Sequence, residues 1–441
     1  MKTVLFSNLP WWGAEPGKEE GRFALRQGIR AGSRWPFTTP ADFLPDHFKF
    51  GCYLPYPWFM GSAAGYLEAK RPDVRVVFRD SIARGESYQT FIAYLNVLKP
   101  SHLVIETGSA SWDHDRSLLV RIRELLPFVK IAVAGPPARD LAATDKGGLV
   151  DAWLLGEYDK PVVDFADDNA LGVVPFNLLT REEMKDLPFP KFDEDCWWHY
   201  ADSNPKGAGS PELTVWASRG CASVCNFCTF PASMTNDDPN GLGGRKIRFY
   251  DPAWIETFIL NRANAAWRNG KPLASVRFDG DTENASDRHT LAICDVMRRI
   301  GIPWSMMCRA DTSAPDVWRA MAASGCFGVK LGFESGSDRI VNQVVKKNLD
   351  LKKATETAIF IRGLGMSVHG TFMIGHPTET PEEVQMTFKF IQDLHSLGAI
   401  NSHQLSGTAL LAGSPLSHQT ITDPNFVRSA DGKSKVEKLT Q

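Results

Sequence analysis

Short apolar runs alternate with longer amphipathic stretches along most of this 441-residue chain. In residues 1–160 the runs end in small or acidic residues, and helical patterns such as 61–71 (GSAAGYLEAKR) and 117–128 (SLLVRIRELLPF) separate them. The runs are KTVLFSN, VRVVFRD, SHLVIETG, KIAVAGPPA and DAWLLGEYD. Strands that alternate with helices predict an α/β fold, here a doubly wound parallel sheet covered on both faces.

Two loops of small residues follow strands of this predicted sheet. They are TGSAS (107–111) and AGPPA (134–138). Ligands of such sheets bind beyond the carboxyl ends of the strands, near the point where the strand order reverses. Small side chains allow a large flat ligand to approach the backbone there. The candidate binding residues are Thr107, Gly108, Ser109 and Gly135.

A second block of alternating patterns occupies residues 213–416, after a proline- and acid-bearing segment, 161–212, that we expect to be a linker. Its strand candidates are LTVWASRG, ASVRFDGD, PWSMMCRAD, FGVKLGFESG, SVHGTFMIGHP and INSHQLSGTAL. A helical stretch follows each of the first five. Six repeats instead of eight predict an open, partial (β/α)6 barrel with its site at the carboxyl face. Residues 417–441 form a polar tail.

Composition narrows the class of protein. Hydrophobic residues make up 43% of the chain, charged residues 23%, and the formal net charge is −2. No apolar run approaches the ~20 residues of a membrane-spanning helix, and MKTVLFSNLP lacks the apolar stretch of a signal peptide. We therefore expect a cytoplasmic protein with reduced cysteines and no membrane partner. A near-neutral charge also gives no broad basic surface for nucleic acid.

Three cysteines directly follow the first strand candidate of the second block. Cys221, Cys225 and Cys228 have C-x3-C-x2-C spacing in SRGCASVCNFCTF. Structural zinc requires four ligands, and the nearest histidine, His199, precedes the strand. A ferredoxin-type cluster requires four cysteines, and no fourth is close in sequence. We interpret the triplet as the ligands of a four-iron cluster with one iron left open, as catalytic metal sites keep an open coordination position.

The motif CASVCNFC resembles the C-x3-C-x-aromatic-C signature of radical S-adenosylmethionine (SAM) enzymes. The resemblance implies that the amino and carboxyl groups of SAM bind the open iron of a [4Fe-4S] cluster. Reductive cleavage of SAM would then yield a 5′-deoxyadenosyl radical. An external electron donor of the flavodoxin or ferredoxin type is also implied. Phe227 is expected near the adenine, although an aromatic ring packed on the base of its own loop would look the same.

Further segments resemble the cofactor-binding strand ends of the same family. RFDGDTEN implies a loop that accepts hydrogen bonds from the amino group of SAM. GFESGSD implies that the end of the fourth barrel strand lies near the cofactor. GTFMIGHPTETPEE implies that the backbone after the fifth strand approaches the adenine closely. Arginine can bind a carboxylate bidentately, so Arg309 in SMMCRAD is a candidate for the carboxyl group of SAM, with a surface salt bridge as the alternative. The other candidates are Asp279, Gly280, Asp281, Thr282, Glu283, Glu334, Ser335 and Gly375.

The order of the two blocks resembles the cobalamin-binding, class B methyltransferase-like subclass over about residues 1–416. Many cobalamin domains carry D-x-H-x-x-G, whose histidine lies beneath the cobalt, but SNLPWWGAEPG follows the first strand here. DSIARG has the spacing with Ile82 in place of histidine, yet it follows the second strand. We therefore expect cobalamin without an axial histidine from the protein. The alternative is a sheet retained only as a scaffold.

Together the resemblances imply an enzyme that methylates an unactivated carbon, or phosphorus, of a small-molecule or peptide substrate. Three alternatives stay open: ring closure or rearrangement without methyl transfer, a radical SAM enzyme without cobalamin, and a non-catalytic iron–sulfur protein. The cofactor motifs disfavour the last, because an electron carrier needs no amino-acid pocket. Methylthiotransferases of transfer RNA are disfavoured because their amino-terminal domain binds its own cluster, whereas this one offers only Cys52 and Cys196.

Overall fold

The computed structural model describes residues 2–14, 23–27 and 53–419, apart from residues 110, 146, 203, 206 and 208. The chain divides into two compact units. The first runs to Asp202 and also contains Ser233–Asp237, and the second comprises the rest of the described chain.

The first unit is built on a parallel sheet. The strands of the unit as a whole are β1 Thr3–Asn8, β2 Trp12–Ala14, β3 Phe23–Gln27, β4 Tyr53–Leu54, β5 Arg75–Asp80, β6 His102–Glu106, β7 Lys130–Ala134, β8 Ala152–Leu154, β9 Gly172–Val174 and β10 Ala201–Asp202. Its helices are α1 Trp58–Lys70, α2 Tyr88–Leu98, α3 Trp112–Leu125, α4 Ala138–Thr144 and α5 Pro161–Ala166, with a 3₁₀ turn at Trp197–His199.

Six strands form this sheet in the order β5-β1-β6-β7-β8-β9, all in parallel register. Leu5 and Leu103 belong to a core shared with α2 and α3. Their neighbours Val4 and Val104, which point to the opposite face, are also completely buried. Both faces are therefore covered, as the continuous apolar runs predict. The strand order reverses at β1, which places the switch point between β1 and β6.

The segment expected to be a linker is partly folded onto the first unit. Helix α5 and strand β9 continue the α/β pattern beyond residue 160, and β10 pairs with β4. Asp193 is buried, accepts a hydrogen bond from the Asp80 backbone N–H at 3.0 Å and binds the Arg84 guanidinium. The prolines and acidic residues of this segment predict irregular backbone. In the structure, its side chains nevertheless contact the first unit, as Asp193 does through Arg84 and as Phe192 does by stacking on Tyr56.

The second unit contains the predicted barrel repeats. Its strands are β11 Glu212–Val215, β12 Ser218–Arg219, β13 Arg248–Phe249, β14 Ser275–Phe278, β15 Trp304–Cys308, β16 Cys326–Glu334, β17 Ser367–Ile374 and β18 Ser402–Gly407. Its helices are α6 Thr229–Ser233, α7 Pro252–Arg268, α8 Asp287–Ile300, α9 Pro315–Ala323, α10 Leu351–Gly363 and α11 Pro381–Ser396. A π-helical turn covers Ile340–Val344, and a 3₁₀ turn covers Pro415–His418.

The large sheet of this unit has the order β11-β14-β15-β16-β17-β18, with every pair parallel. At least one helix lies between each successive pair in the chain, and the first pair is separated by both α6 and α7. Local sequence fixes the ends of these helices. At α11, Thr380 and Glu383 form a reciprocal capping box around Pro381, and at α8 the left-handed Gly301 ends the helix. The six-strand partial barrel and the doubly wound sheet confirm the predicted fold class.

Within the described ranges, every helix is too short or too polar to cross a bilayer.

Candidate functional site

The cysteine loop, residues 220–228, follows β12, which pairs with β13 in a small antiparallel sheet, and ends at α6. Cys221 and Cys225 are buried, and Cys228 is half-buried. The loop is tied to the turn after β16, because the Asn226 backbone N–H donates to Val345 O at 3.0 Å and its side chain donates to Val344 O at 2.8 Å. These contacts place Cys225 and Cys228 beside the π-helical turn that follows β16.

The surroundings of the thiols are mostly apolar. Cys225 packs against Ile340 and Val345, with Phe227 and Cys228 at the margin of the same cluster. Burial raises the pKa of the Cys225 thiol to about 11, and the nearby Lys347 ammonium opposes the shift. A bound metal is therefore needed to keep this cysteine as a thiolate at neutral pH.

The three thiols are the candidate ligands of the cluster that the sequence predicts. In the described part of the chain, no three His, Cys, Asp or Glu side chains are arranged as a ready-made metal site. The chemistry of the donors nevertheless fits a cluster held by three thiolates, since Cys221, Cys225 and Cys228 share one short loop. Metal binding and local ordering are coupled, so the loop is expected to close as the cluster binds.

The loop after β14 is joined to the strand that leads into the cysteine loop by Glu283. This side chain is fully buried and accepts hydrogen bonds from Ala217 N, Gly280 N and Ser218 Oγ, each at 2.9 Å. Burial raises its pKa to about 8 despite these bonds. A Cβ at Gly280 would come within 2.2 Å of the same carboxylate. Glu283 and Gly280 thus shape the loop.

The other candidates in this loop lie close to the thiols or at the rim. The Thr282 hydroxyl is 3.2 Å from Cys221 Sγ and donates to the Asp281 backbone carbonyl at 2.7 Å. Asp279 and Asp281 are half-buried acidic side chains, which is the chemistry that a bound ammonium group requires. Asn284, which the sequence reasoning missed, joins this loop to the end of β15 through Arg309 N and Arg309 O, both at 2.9 Å.

Arg309 follows β15, and its guanidinium is already engaged. It binds the Asp311 carboxylate through Nε and Nη2 at 2.9 and 2.7 Å, and Nη1 donates to Ser223 Oγ at 2.9 Å. Both terminal nitrogens also reach the Lys347 carbonyl. In this structure the side chain therefore holds the cysteine loop through Ser223. It also forms a salt bridge with Asp311, which was the alternative to binding the carboxyl group of SAM.

The GFESGSD segment at the end of β16 makes two kinds of contact. Glu334, in a left-handed conformation with φ 67°, pairs with the buried Lys347 ammonium at 2.5 Å. Ser335 bonds the Thr387 hydroxyl of α11 at 2.9 Å, and a Cβ at Gly336 would meet the Met386 carbonyl at 2.4 Å. The motif thus fixes α11 against the barrel as well as placing Glu334 beside Lys347.

The turn after β17 begins at Gly375, whose φ of +78° favours glycine. Glu379 Oε2 accepts hydrogen bonds from the backbone N–H groups of Gly375 and His376 at 2.5 and 3.0 Å. Burial raises the pKa of Glu379 to about 7. The ring of His376 lies 6.5 Å from that of Phe227, between centroids, so this turn adjoins the cysteine loop. Neither Glu379 nor His376 was singled out from the sequence.

In the first unit, the candidate loops after β6 and β7 lie side by side. Gly135 has φ +115°, and a Cβ there would come within 2.2 Å of the Thr107 carbonyl. Thr107 Oγ1 donates to the buried Asp115 at 2.7 Å, and Gly108 N donates to Ser111 Oγ at 3.1 Å. Ser109 is half-buried in the same loop. The structure thus brings together the four candidates of this edge.

The last residue of β1, Asn8, is a further candidate at the switch point. Asn8 is 2% exposed, and neither its amide oxygen nor its amide nitrogen has a hydrogen-bond partner among the described residues. The following residues are held by His114, which contacts the Pro10 carbonyl at 3.1 Å and stacks on Trp11. The position of Asn8 at the end of the first strand was the signal that could have identified it.

Part of the second unit matches a known protein family. Residues 217–391 match the Radical SAM superfamily. A curated relative, the cytidylyl-2-hydroxyethylphosphonate methyltransferase of Streptomyces wedmorensis, is 25% identical over 367 residues. The match covers 78% of this chain and 57% of the relative's length.

Two solved structures share the fold of both units. The radical SAM methyltransferase TsrM from Kitasatospora setae, with cobalamin and a [4Fe-4S] cluster bound, is 13% identical with a TM-score of 0.64, over 94% of this chain and 77% of that chain. The cobalamin-dependent SAM radical enzyme OxsB, with aqua-cobalamin and SAM bound, is 14% identical with a TM-score of 0.66, over 95% and 60%. The radical SAM domain expected from the three-cysteine motif is confirmed over residues 217–391, and the two units have the fold of these two cobalamin-dependent enzymes.

Proposed function

We propose that this protein is a cobalamin-dependent radical SAM methyltransferase that acts on a small-molecule substrate. The observation that carries the proposal is the cysteine loop, which presents three thiols at the carboxyl edge of the barrel beside the turns after β14, β16 and β17. Methyl transfer is favoured by the relative from Streptomyces and by TsrM, both of which are described as methyltransferases.

In this proposal Cys221, Cys225 and Cys228 hold a [4Fe-4S] cluster. With SAM bound, such a cluster supplies one-electron chemistry able to remove a hydrogen atom from an unactivated carbon. The residues around the loop keep the thiols in place and exclude water. Ile340 and Val345 cover Cys225, and Arg309 holds the loop through Ser223.

The acidic turn after β14 is proposed to bind the amino group of SAM. Asp279 and Asp281 offer carboxylates at the barrel rim, and charge-assisted hydrogen bonds to an ammonium are stronger than neutral ones. Glu283 contributes indirectly, because its carboxyl group shapes the turn rather than facing a ligand. Glu334, paired with Lys347, and Ser335 remain candidates at the neighbouring strand end.

Cobalamin is proposed to bind at the carboxyl edge of the first sheet, where it would supply a transferable methyl group. Gly135 and the Thr107–Ser109 loop allow a flat ring to approach the backbone, as expected from the sequence. The amide of Asn8, which has no hydrogen-bond partner among the described residues, fits this ligand chemically, because a corrin ring carries carboxamide groups on its rim. Its proposed role is to hydrogen-bond one of these carboxamides, which would supply a partner for a buried polar side chain.

The cellular setting follows from the same chemistry. None of the cysteines in the described residues forms a disulfide. We propose a cytoplasmic enzyme that receives electrons from a flavodoxin- or ferredoxin-type donor. The methyl acceptor is a carbon or phosphorus atom, and phosphonates are candidate substrates because the relative from Streptomyces is named for one.

The test is anaerobic turnover of the reconstituted protein with a reductant, SAM and candidate substrates. Methyl transfer requires two molecules of SAM in different roles, so 5′-deoxyadenosine and S-adenosylhomocysteine should form in equal amounts with a product heavier by one methyl group. Deoxyadenosine without homocysteine nucleoside would instead favour the alternative without methyl transfer. A protein that holds iron but cleaves no SAM would refute both.

A further inference from the structure

His376 has a position that the proposed chemistry does not yet use. It follows Gly375 in the turn after β17 and is only 2% exposed. Its ring lies 6.5 Å from the ring of Phe227, which stands between Cys225 and Cys228. An imidazole that is almost fully buried therefore borders the cysteine loop.

The hydrogen bonds around His376 fix which ring nitrogen carries the proton. Thr408 Oγ1 donates its single hydrogen to the Ile374 carbonyl at 3.1 Å. The 3.2 Å contact between Thr408 Oγ1 and His376 Nδ1 must then use an Nδ1–H as donor. Burial lowers the pKa of His376 to about 4, so the ring is neutral at pH 7. His376 Nε2 consequently presents a lone pair and acts only as an acceptor.

This acceptor is left without a donor. His376 Nε2 is buried and has no hydrogen-bond partner among the residues that the structure describes, and the same holds for Glu379 Oε1 three residues later. A buried acceptor left without a donor destabilises the folded protein, so such groups require an explanation. Two unsatisfied polar atoms within one turn, beside the half-buried Phe227 of the cysteine loop, fit a ligand that brings hydrogen-bonding groups of its own.

We propose that His376 Nε2 accepts a hydrogen bond from the nucleoside of SAM and so helps to select this cofactor. The inference rests on the proposed function, in which SAM binds at the cysteine loop. An adenosine group offers an exocyclic amine and two ribose hydroxyls as donors, together with a flat base that can pack on Phe227. Thr408 acts as a positioning residue, because its hydroxyl holds the imidazole in the accepting tautomer.

The test uses the protein with its cluster reconstituted under anaerobic conditions. Titration calorimetry would measure the dissociation constants of SAM and of three counterparts, each lacking one donor: the inosine form, the 2′-deoxy form and the 3′-deoxy form. In the wild type, one counterpart should bind about tenfold more weakly than SAM, the equivalent of about 1.4 kcal/mol.

His376→Phe, which keeps an aromatic ring but no acceptor, should weaken SAM binding and erase that tenfold difference. His376→Gln, whose amide oxygen can replace Nε2, should keep part of the difference. Thr408→Val should shrink the difference by freeing the tautomer, whereas Thr408→Ser should preserve it. The counterpart whose penalty disappears in His376→Phe identifies the donor.

An unchanged penalty in His376→Phe for all three counterparts would overturn the inference, and so would unchanged SAM affinity. These results differ from failure of the proposed function, in which the wild-type protein itself binds no SAM. The electron paramagnetic resonance spectrum of the reduced cluster gives a second readout, because SAM binding should perturb it in the wild type and in His376→Gln.

Discussion

At the scale of single residues, Glu283 shows how hydrogen-bond partners that the sequence does not reveal define the role of a side chain. The acidic motif RFDGDTEN implied ligands for an amino group, and Glu283 was included among them. In the structure, both of its oxygens are used within the protein, by Ala217, Gly280 and Ser218. Sequence shows that a carboxylate follows the strand, but burial and partners decide whether it faces a ligand.

This burial makes the stability of the barrel depend on pH. The folded pKa of Glu283 is raised to about 8 from its ordinary 4.5. Between these values the folded protein binds more protons at this site than the unfolded chain, so stability is lost as pH rises. Glu283→Gln can accept from both backbone N–H groups and donate to Ser218. Over this pH range, the free energy of unfolding of the variant should change by about 1–3 kcal/mol less than that of the wild type.

Thermal unfolding from pH 5 to pH 8 would measure the effect as the difference between variant and wild type. Glu283→Ala serves as the comparison, because it leaves three donors unpaired and should destabilise the protein at every pH. An identical pH profile for wild type and Glu283→Gln would contradict the assignment.

Arg309 illustrates the same limit of sequence reasoning. Its residue type suits a carboxylate of SAM, but its position lets it hold Ser223 and Asp311 at once. Arg309→Lys keeps the charge and loses the fork of donors. We expect iron to leave the reconstituted protein about tenfold faster during a chelator challenge, the equivalent of one charge-assisted hydrogen bond.

The matched control is Arg298→Lys, since Arg298 forms an exposed pair with Asp295 on α8. It should leave the rate of iron loss unchanged. If Arg309→Lys retained iron normally but bound SAM much more weakly, the carboxylate role implied by the family resemblance would be restored.

At the scale of elements, the alternation of apolar runs and amphipathic stretches predicted most of the architecture. All six barrel strands and the five strands β1, β5, β6, β7 and β8 lie where the patterns indicate them. Strand β9 was missed because its segment, GVV, is short and its first two residues are exposed. Folding of 161–202 onto the first unit was missed because it depends on tertiary contacts such as Arg84 with Asp193.

The contact between the end of β16 and α11 can be tested with glycines. A Cβ at Gly336 would meet the Met386 carbonyl at 2.4 Å, whereas a Cβ at Gly363, at the end of α10, would have nothing within 4 Å. Gly336→Ala should therefore destabilise the barrel by about 1–3 kcal/mol through overpacking. Gly363→Ala should be neutral or stabilise it by up to about 1 kcal/mol.

Urea unfolding of both variants would give these free energies. The Gly336→Ala protein should also lose SAM affinity, because Glu334 and Ser335 precede the displaced residue. Equal stability of the two variants would mean that the turn after β16 moves freely relative to α11.

At the scale of the whole molecule, sequence motifs indicated the chemistry of the second unit more specifically than that of the first. A cluster with an open iron requires particular ligands at fixed spacing, so the three cysteines are visible in the sequence. A flat cofactor held by backbone and small residues leaves a weaker record. Gly135 shows why, since its importance depends on a carbonyl of Thr107, 28 positions earlier.

The two units have separate sheets and separate candidate sites, so their cofactors should be lost independently. Replacing Cys221, Cys225 and Cys228 by alanine should remove the iron and leave binding of hydroxocobalamin unchanged. Replacing the buried core cysteines Cys294 and Cys326 by alanine is the control, and it should retain the iron. Iron and sulfide assays would measure the first cofactor, and the absorbance of bound corrinoid would measure the second.

Gly135→Ala is expected to weaken cobalamin binding and to leave the iron in place. The new methyl group would collide with the Thr107 carbonyl at 2.2 Å and displace the loop proposed to lie beneath cobalamin. Cobalamin affinity should fall about tenfold or more, the equivalent of at least about 1.4 kcal/mol, with iron content unchanged. Gly148→Ala is the matched control, because Gly148 also has a positive φ, +59°, but a Cβ there meets nothing within 4 Å. Equal loss of cobalamin in both variants would attribute the effect to backbone strain alone. Loss of iron in Gly135→Ala would show that the two sites are coupled rather than independent.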